Sequence, residues 1–334
     1  MVHRGIDYSG GVRHRQTAPT DKMEGVPAAR RTARLEILRA PALSRFPWLL
    51  HGFSTRRGGV TRRYGGHALN LGFGAQDARA AVVENRRRFL AALAPGRRAR
   101  PELMTLRQVH SDVIHGLDHV PKSALAGDGM VTDVPGLLLA VQTADCLPVL
   151  LVDPEHRAVG VFHAGWRGTL ARIVEKGVGV MRQRYGSDPR RLLAALGPGI
   201  HACCYEVGSE VRERFLSQFD YAAALFREVS ESDPVRERYP LLFLTARAPG
   251  HSDLHKLHLD LVEANRRQLV SAGLRPRHIW ASPLCTSCRT DLLFSHRAEK
   301  GTTGRMMGVV GLRPGAKVKM KNARAKSQEL KAKS

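Results

Sequence analysis

Long hydrophobic runs are missing from this 334-residue chain. No window approaches the ~18 uninterrupted apolar residues that a membrane-spanning helix needs, which excludes an integral helical membrane protein. The N-terminal stretch lacks the apolar core of a secretory signal, so the cytoplasm is the expected compartment. Cysteine is scarce and odd in number, five in all, which does not suit a disulfide framework in a chain of this length. No internal repeat is present. Acidic residues are also few, 30 against 53 Lys and Arg, giving a formal net charge of +23. Part of that excess sits at the ends, +6 over residues 315–334 and +4 over residues 1–35. Both ends are expected to be disordered, 1–35 as an N-terminal extension and 314–334 as a tail. A solvated basic tail is the preferred reading and non-specific contact with nucleic acid the alternative. The remaining residues, 36–313, have the length and apolar content for one large α/β domain.

What is present concentrates between Gly136 and Gly168, in GLLLAVQTADCLPVLLVDPEHRAVGVFHAGWRG. Two apolar runs each end in a side chain able to bind metal, Cys146 in TADC and His163 in HAGWRG. Upstream, QVH ends in a third, His110. One thiolate and two imidazoles suit zinc, and three protein ligands leave a coordination position open. The spacings, 36 and then 17 residues, are too wide for a zinc finger, so tertiary structure must gather the ligands. Spacing alone leaves the bland alternative open: a lone Cys in an apolar run is usually a small buried hydrophobe. Thr143, Asp145, Trp166 and Arg167 crowd the ends of these runs, and buried polar groups need partners.

Further motifs extend the pattern: HGFSTRRGGVT (51–61), ALNLG (68–72), ENRRRF (84–89), QVHSDVI (108–114), DGMVTDVPGLLL (128–139), GPGIHACCYEVG (197–208) and FSHRAEKGTTGRM (294–306). With TADCLPVLLVD and HAGWRGT, they resemble the YfiH/YlmD-like family of laccase-domain purine nucleoside phosphorylases, formerly called multicopper polyphenol oxidases. The resemblance implies an α/β (α+β) fold, an α-β-β-α sandwich of mixed sheets similar to toxin deamidases. It implies a catalytic domain holding zinc through His110, Cys146 and His163. The implied reactions are phosphorolysis of adenosine, inosine and S-methyl-5′-thioadenosine to base and (methylthio)ribose 1-phosphate, and deamination of adenosine to inosine. The expected partners are thus purine nucleosides and phosphate, with no membrane; the oligomeric state is not specified. Copper is the less expected metal, because no HxH pattern exists. The alternative is a Cys–His hydrolase or amidase in peptidoglycan precursor editing, with Cys146 as nucleophile and His163 as base.

Several other residues are candidates beside that triad. Arg56, next to Gly58-Gly59, is expected to cradle phosphate, unless RRGG is an exposed basic turn. Asn70 could orient a ribose hydroxyl or fix its loop. Gln108, sharing a strand face with His110, would line the pocket or satisfy backbone. Asp145 is expected as general acid/base or as the anchor of a ligand imidazole. Arg167 is a candidate for phosphate, and Trp166 for purine stacking or packing. Cys203-Cys204 and Cys285-x-x-Cys288 are not expected to hold a second metal: there is no second CxxC, and a vicinal pair lacks the usual spacing. In FSHRAEKGTTGRM, His296 replaces a usual Tyr and Ala298 interrupts a usual Arg-Arg, so no role is assigned there.

The periodicity predicts strands at 35–38, 51–54, 130–133, 137–141, 148–152, 158–163, 192–196 and 277–281. It predicts helices at 78–94 capped by Asp77, and at 169–185, 207–218 and 257–273. Residues 56–74 read as a loop and 219–256 as an irregular insertion, a lid or a variable loop.

Overall fold

A computed structural model describes residues 34–74, 76–95, 101–230 and 255–317. Strands form where the chain is apolar at nearly every position. β7 (Leu137–Thr143), β8 (Leu147–Asp153) and β9 (Ala158–Ala164) are almost wholly buried, as strands covered on both faces must be. β7 belongs to a five-stranded mixed sheet in the order β1 (Ile37–Leu38), β2 (Leu49–Ser54), β15 (Met306–Leu312), β7, β4 (Glu102–Thr105). β8 and β9 belong to a six-stranded mixed sheet in the order β14 (Ile279–Ala281), β10 (Leu193–Leu196), β8, β9, β6 (Gly129–Thr132), β5 (Ile114–Gly116). A small third sheet runs β11 (Glu206–Val207), β13 (His255–Leu259), β12 (Phe226–Ser230).

Side-chain alternation sets the layers. Leu137, Leu139 and Val141 of β7 enter one core with Leu150, Val152, Val159 and Val161 of the second sheet. Leu138 and Ala140 turn the other way and meet Phe89 and Leu93 of α2 (Arg79–Leu93). On the far side, Val149, Leu151 and Phe162 pack with Val174, Val178 and Met181 of α4 (Ile173–Tyr185) and with Leu261 and Leu269 of α6 (Leu261–Ser271). The order is helix, sheet, sheet, helix, the expected sandwich. Each fully buried Leu or Phe contributes about 1.5–3 kcal/mol, so these three interfaces dominate the stabilisation.

The elements differ from the sequence reading in instructive places. Residues 56–74 are not all loop, since β3 (Arg57–Thr61) lies there, bridged to Ala68. A short α1 (Pro41–Ser44) and the strands β4, β5 and β15 have no counterpart in that reading. The helix expected over 169–185 is two, α3 (Trp166–Leu170) and α4, divided by Arg172 in a left-handed conformation at φ 61°. The helix expected from 207 is α5 (Ser209–Leu216), because Val207 pairs with Leu257 in the third sheet. Likewise 257–259 is strand, and α6 begins after Asp260, whose carboxylate accepts the Glu263 N–H. Asp77 does not cap α2; the cap position is Ala78, and Asp77 accepts from Thr61 and Asn70 instead. Residues 219–230 contain a 3₁₀ turn and β12. Residues 231–254, with the stretches 1–33 and 318–334, lie outside the described residues.

The packing of α4 on β9 gives a matched test. A methyl at Gly177 would stand 2.5 Å from the Phe162 ring, whereas one at Gly179, in the same helix, meets nothing within 4 Å. Gly177→Ala is therefore expected to destabilise by about 1–3 kcal/mol through overpacking. Gly179→Ala should stabilise by about 0.5–1 kcal/mol through helix propensity. Urea unfolding of both variants checks the opposite signs.

Candidate active site

The chain passes from the first sheet to the second along residues 106–113, between β4 and β5, and again along residues 144–146, between β7 and β8. His110 lies on the first crossing, Cys146 on the second, and His163 near the end of β9 in the second sheet. Tertiary structure thus gathers the three residues that spacing left far apart. One donor atom from each lies within 4.8 Å of the others, and the two imidazoles stand edge to face at 4.9 Å. Both crossings are strained: His110 has φ 59° and Asp145 φ 91°, conformations that non-glycine residues hold only when their surroundings enforce them.

What enforces them is hydrogen bonding to two buried carboxylates. Asp128, fully buried just before β6, accepts His163 Nδ1 at 2.8 Å, Ser111 N at 2.6 Å, Ser111 Oγ at 2.8 Å and Val109 N at 3.2 Å. With Nδ1 held, Nε2 is the His163 nitrogen left for a ligand. Asp145 accepts Thr286 Oγ1 at 2.6 Å and Arg297 N at 2.7 Å. It therefore anchors the loop opposite, and the imidazole anchor is Asp128 rather than Asp145.

The donor set fits a metal ion on structural grounds. Gly165 leaves room in front of the thiol, since a methyl there would stand 2.8 Å from Cys146 Sγ and 3.4 Å from the His110 ring. Electrostatics agree. Burial alone would raise the Cys146 thiol, but His163 and His110 overcome it and bring it down to about 6. Burial alone would lower His163, but the Cys146 thiolate and the Asp128 carboxylate hold it up at about 9. Between those values the metal-free pair is thiolate and imidazolium, so the sulfur is ready to bind a cation and the imidazolium would give up its Nε2 proton to solvent as the cation binds.

The three residues open into a cavity of about 520 Å³ that also presents Phe73, Leu106, Arg107, Gln108, Gln142, Ala144, Asp145, Ile200, Tyr205, His296, Arg297 and Arg305. Phe73, Leu106 and Ile200 give the lining apolar surface, and Arg107, Arg297, Arg305 and Asp145 add charge to that of the Cys146–His163 pair. Arg297 extends over the Tyr205 ring at 5.8 Å, and its guanidinium has no hydrogen bond or ion pair among the described residues. Burial pushes the Tyr205 hydroxyl up, so it stays protonated as a donor.

Other expected residues fall elsewhere. Arg56 does not line the cavity. Its guanidinium binds the carbonyls of Thr290 and Tyr64, pairs with Glu299 at 3.0 Å and covers the Phe294 ring. The Gly59 amide is taken by His67 O, so no phosphate cradle forms there. Asn70 fixes its loop: Nδ2 donates to Gly72 O and Asp77, while Oδ1 accepts Gly72 N and Arg305 N. Arg167 is exposed, lies over Trp166, and neither lines the cavity; Trp166 packs on the core of the second sheet. Gln108 lies outside any strand, so the shared-face argument fails. It does reach the cavity, while clamping the Gln142 backbone through both ends of its amide. Sequence reasoning missed Asp128, Tyr205, Arg297 and Arg305. The only signal was their position inside quoted motifs.

A layered α/β protein in which two sheet crossings and a strand end bring together three residues that could hold a metal ion is the class this geometry defines. The chain belongs to the family described as multi-copper polyphenol oxidoreductase laccase, whose match covers residues 50–313. It is 40% identical over 280 residues to a purine nucleoside phosphorylase of Deinococcus radiodurans, covering 83% of this chain and 93% of that one. It is 36% identical to purine nucleoside phosphorylase YlmD of Geobacillus stearothermophilus (80% and 94% covered). It is 33% identical to adenosine deaminase RL5 of an unknown prokaryotic organism (77% and 91% covered). The crystal structure of YlmD from Geobacillus stearothermophilus superposes with a TM-score of 0.66 at 33% identity, covering 84% of this chain and 99% of that one. The family is enzymatic. No helix among the described residues is long and apolar enough to cross a membrane.

The ion pair can be read directly. In chelator-treated protein, iodoacetamide alkylation of Cys146, followed by peptide mass spectrometry, should reach half its limiting rate near pH 6 rather than near 9. Asp128→Asn removes the charge that sustains the imidazolium, so the midpoint should move upward. A wild-type midpoint near 9 would refute the pairing.

Proposed function

We propose that the protein is a zinc-dependent purine nucleoside enzyme. It phosphorolyses adenosine, inosine and S-methyl-5′-thioadenosine and deaminates adenosine to inosine, in the cytoplasm. The observation carrying this reading is the convergence of His110, Cys146 and His163 on a cavity lined by both apolar and cationic residues, in a chain whose relatives bear those names. His110, Cys146 and His163 would hold the ion, which supplies Lewis acidity toward a water or a substrate oxygen. One thiolate and two imidazoles suit zinc, and the preference over copper oxidase chemistry rests on the histidine count. A copper oxidase needs several histidine-rich sites, and the described residues bring together no metal-binding group with more than two histidines.

The chain's own groups account for the remaining requirements. Phosphorolysis breaks the C1′–N9 bond of the nucleoside, forms a C1′–O bond to phosphate and delivers a proton to the departing base. Arg297, with Arg107 and Arg305, supplies positive charge for the phosphate. Phe73, Leu106 and Ile200 offer apolar surface to the base, and Tyr205 offers a hydroxyl donor. Asp128 keeps His163 in one tautomer and orientation. Deamination adds water at the purine C6 and releases ammonia, with no demand on the three arginines.

The test is metal content together with turnover of inosine and adenosine in phosphate, for wild type and Cys146→Ala. About one zinc bound through Cys146, with turnover, and both lost in the variant, supports the reading. Wild type without metal and without turnover sinks it. Arg297→Ala should raise the KM for phosphate about tenfold or more, the loss of one charge-assisted hydrogen bond, while the KM for adenosine in deamination changes little.

A second reading rests on one specific observation. Cys146, His163 and Asp128 also stand in the order nucleophile, base and orienting carboxylate. A Cys–His hydrolase acting on peptidoglycan precursors would use the metal-free pair. Amide hydrolysis that rises on chelation would favour it; zinc-dependent nucleoside turnover excludes it.

A further inference from the structure

Four of the five cysteines meet at a point the reaction above does not use. Cys203 and Cys204 lie on the turn between β10 and β11, and Cys285 and Cys288 on the segment that follows β14. Their sulfurs all lie within 4.8 Å of one another. The Cys288 sulfur is 3.3 Å from that of Cys204 and 3.5 Å from that of Cys203. All four are free thiols.

Packing does not explain the cluster. Cys203 and Cys288 are exposed, so bringing them together buries little apolar surface, which is the usual reason for a structural cysteine. Metal geometry does explain it. Zinc–sulfur bonds of about 2.3 Å in a tetrahedron set neighbouring sulfurs about 3.8 Å apart, inside the range seen here. The backbone also holds the two segments in register independently of any ion. Gly199 bridges Cys285, and Thr286 N donates to Gly199 O at 2.9 Å. The buried Cys285 sulfur accepts the His201 N–H at 3.4 Å, a bond that favours a thiolate. The spacing argument from sequence fails because the second ligand pair is a vicinal one: residues 202–204 form a tight turn, in which both Cys204 N and Tyr205 N donate to His201 O.

We infer that Cys203, Cys204, Cys285 and Cys288 form a second metal site, a closed four-thiolate cage that takes one zinc ion and serves structure. Four protein sulfurs leave no position for substrate, and tetrahedral S₄ selects zinc or iron over harder cations. Each thiol that loses its proton to solvent gains a bond to the ion, and no redox step is involved. The site staples the segment carrying Ile200 and Tyr205 to the segment carrying Arg297, which both line the cavity.

The test uses Cys146→Ala protein purified under reducing conditions, so that metal at the first site does not contribute. It should retain about one zinc per chain. Exchanged with cobalt(II), it should show an intense near-ultraviolet thiolate-to-cobalt band. Adding Cys288→Ser should remove both signals, and Cys203→Ser serves if the Cys288 variant does not fold. The inference falls if the Cys146→Ala protein holds no metal and gives no such band, if thiol titration finds the four cysteines as disulfides after reducing purification, or if iron takes the place of zinc. It also falls if the folded serine variant keeps its zinc. Loss of metal between wild type and Cys146→Ala reports on the first site alone, so the two readings fail separately.

Discussion

One buried carboxylate organises this site. Asp128 receives His163 Nδ1 from the end of β9 and three donors from the loop that carries His110. A charged carboxylate without solvent survives only with such partners, since an unpaired one costs several kcal/mol. Its pKa lies well below the ordinary range, burial being outweighed by the donations of His163 and Ser111. Two of the three candidate ligands therefore take their positions from the same two oxygen atoms. The left-handed backbone at His110 follows, because the bonds to Val109 N and Ser111 N on either side leave that residue little choice.

The metal reading and the nucleophile reading draw on this same arrangement. A neighbouring imidazolium lowers the thiol of Cys146, and a carboxylate behind it sustains the imidazolium; those are also the conditions for a reactive cysteine. What separates the readings is His110. A Cys–His–Asp triad has no need for a second imidazole edge-on to the first at 4.9 Å, whereas an ion held by three protein ligands would. The space kept open by Gly165 in front of the sulfur suits an ion held between three donors. The guanidinium of Arg297, without a hydrogen bond or ion pair among the described residues, would give an anion a partner inside the same cavity.

How much of this was legible in the sequence depends on why each residue is there. β7, β8 and β9 announce themselves because strands buried on both faces are continuous apolar runs. β15, a central strand of the first sheet, is hidden by its glycines. Gly308 faces Pro148 where a methyl would stand at 2.4 Å, and Gly311 crosses the Leu137 carbonyl equally closely; the close approach that makes them necessary also erases strand propensity. His110, Cys146 and His163 were legible as a group through the motifs that carry the family resemblance, since their spacing alone left a buried, metal-free role open; the structure brings their donor atoms together. Arg56 and Asn70 each left two readings open, because an irregular loop uses arginine and asparagine to satisfy its own backbone and ligand binding uses the same chemistry; the described bonds of Asn70 follow the loop-fixing one. Asp128 was silent, since an acid before an apolar strand has no periodic signature.

The cysteines show the same limit from the other side. Spacing rules recognise two CxxC knuckles because each knuckle comes from one local turn. Here one pair comes from a turn and the other from a loop about eighty residues later, and only the Gly199–Cys285 bridge brings them level. Asp145 belongs to this junction, joining the Cys146 crossing to Thr286 and Arg297 while its carbonyl accepts Ile200 N. The cavity is thus framed by two polar clamps, Asp128 behind the candidate ligands and Asp145 on the side of Thr286 and Arg297. A rigid frame of that kind is what a site must have if a sugar carbon is to meet phosphate at bonding distance, because misplacement by one ångström costs about a hundredfold in rate.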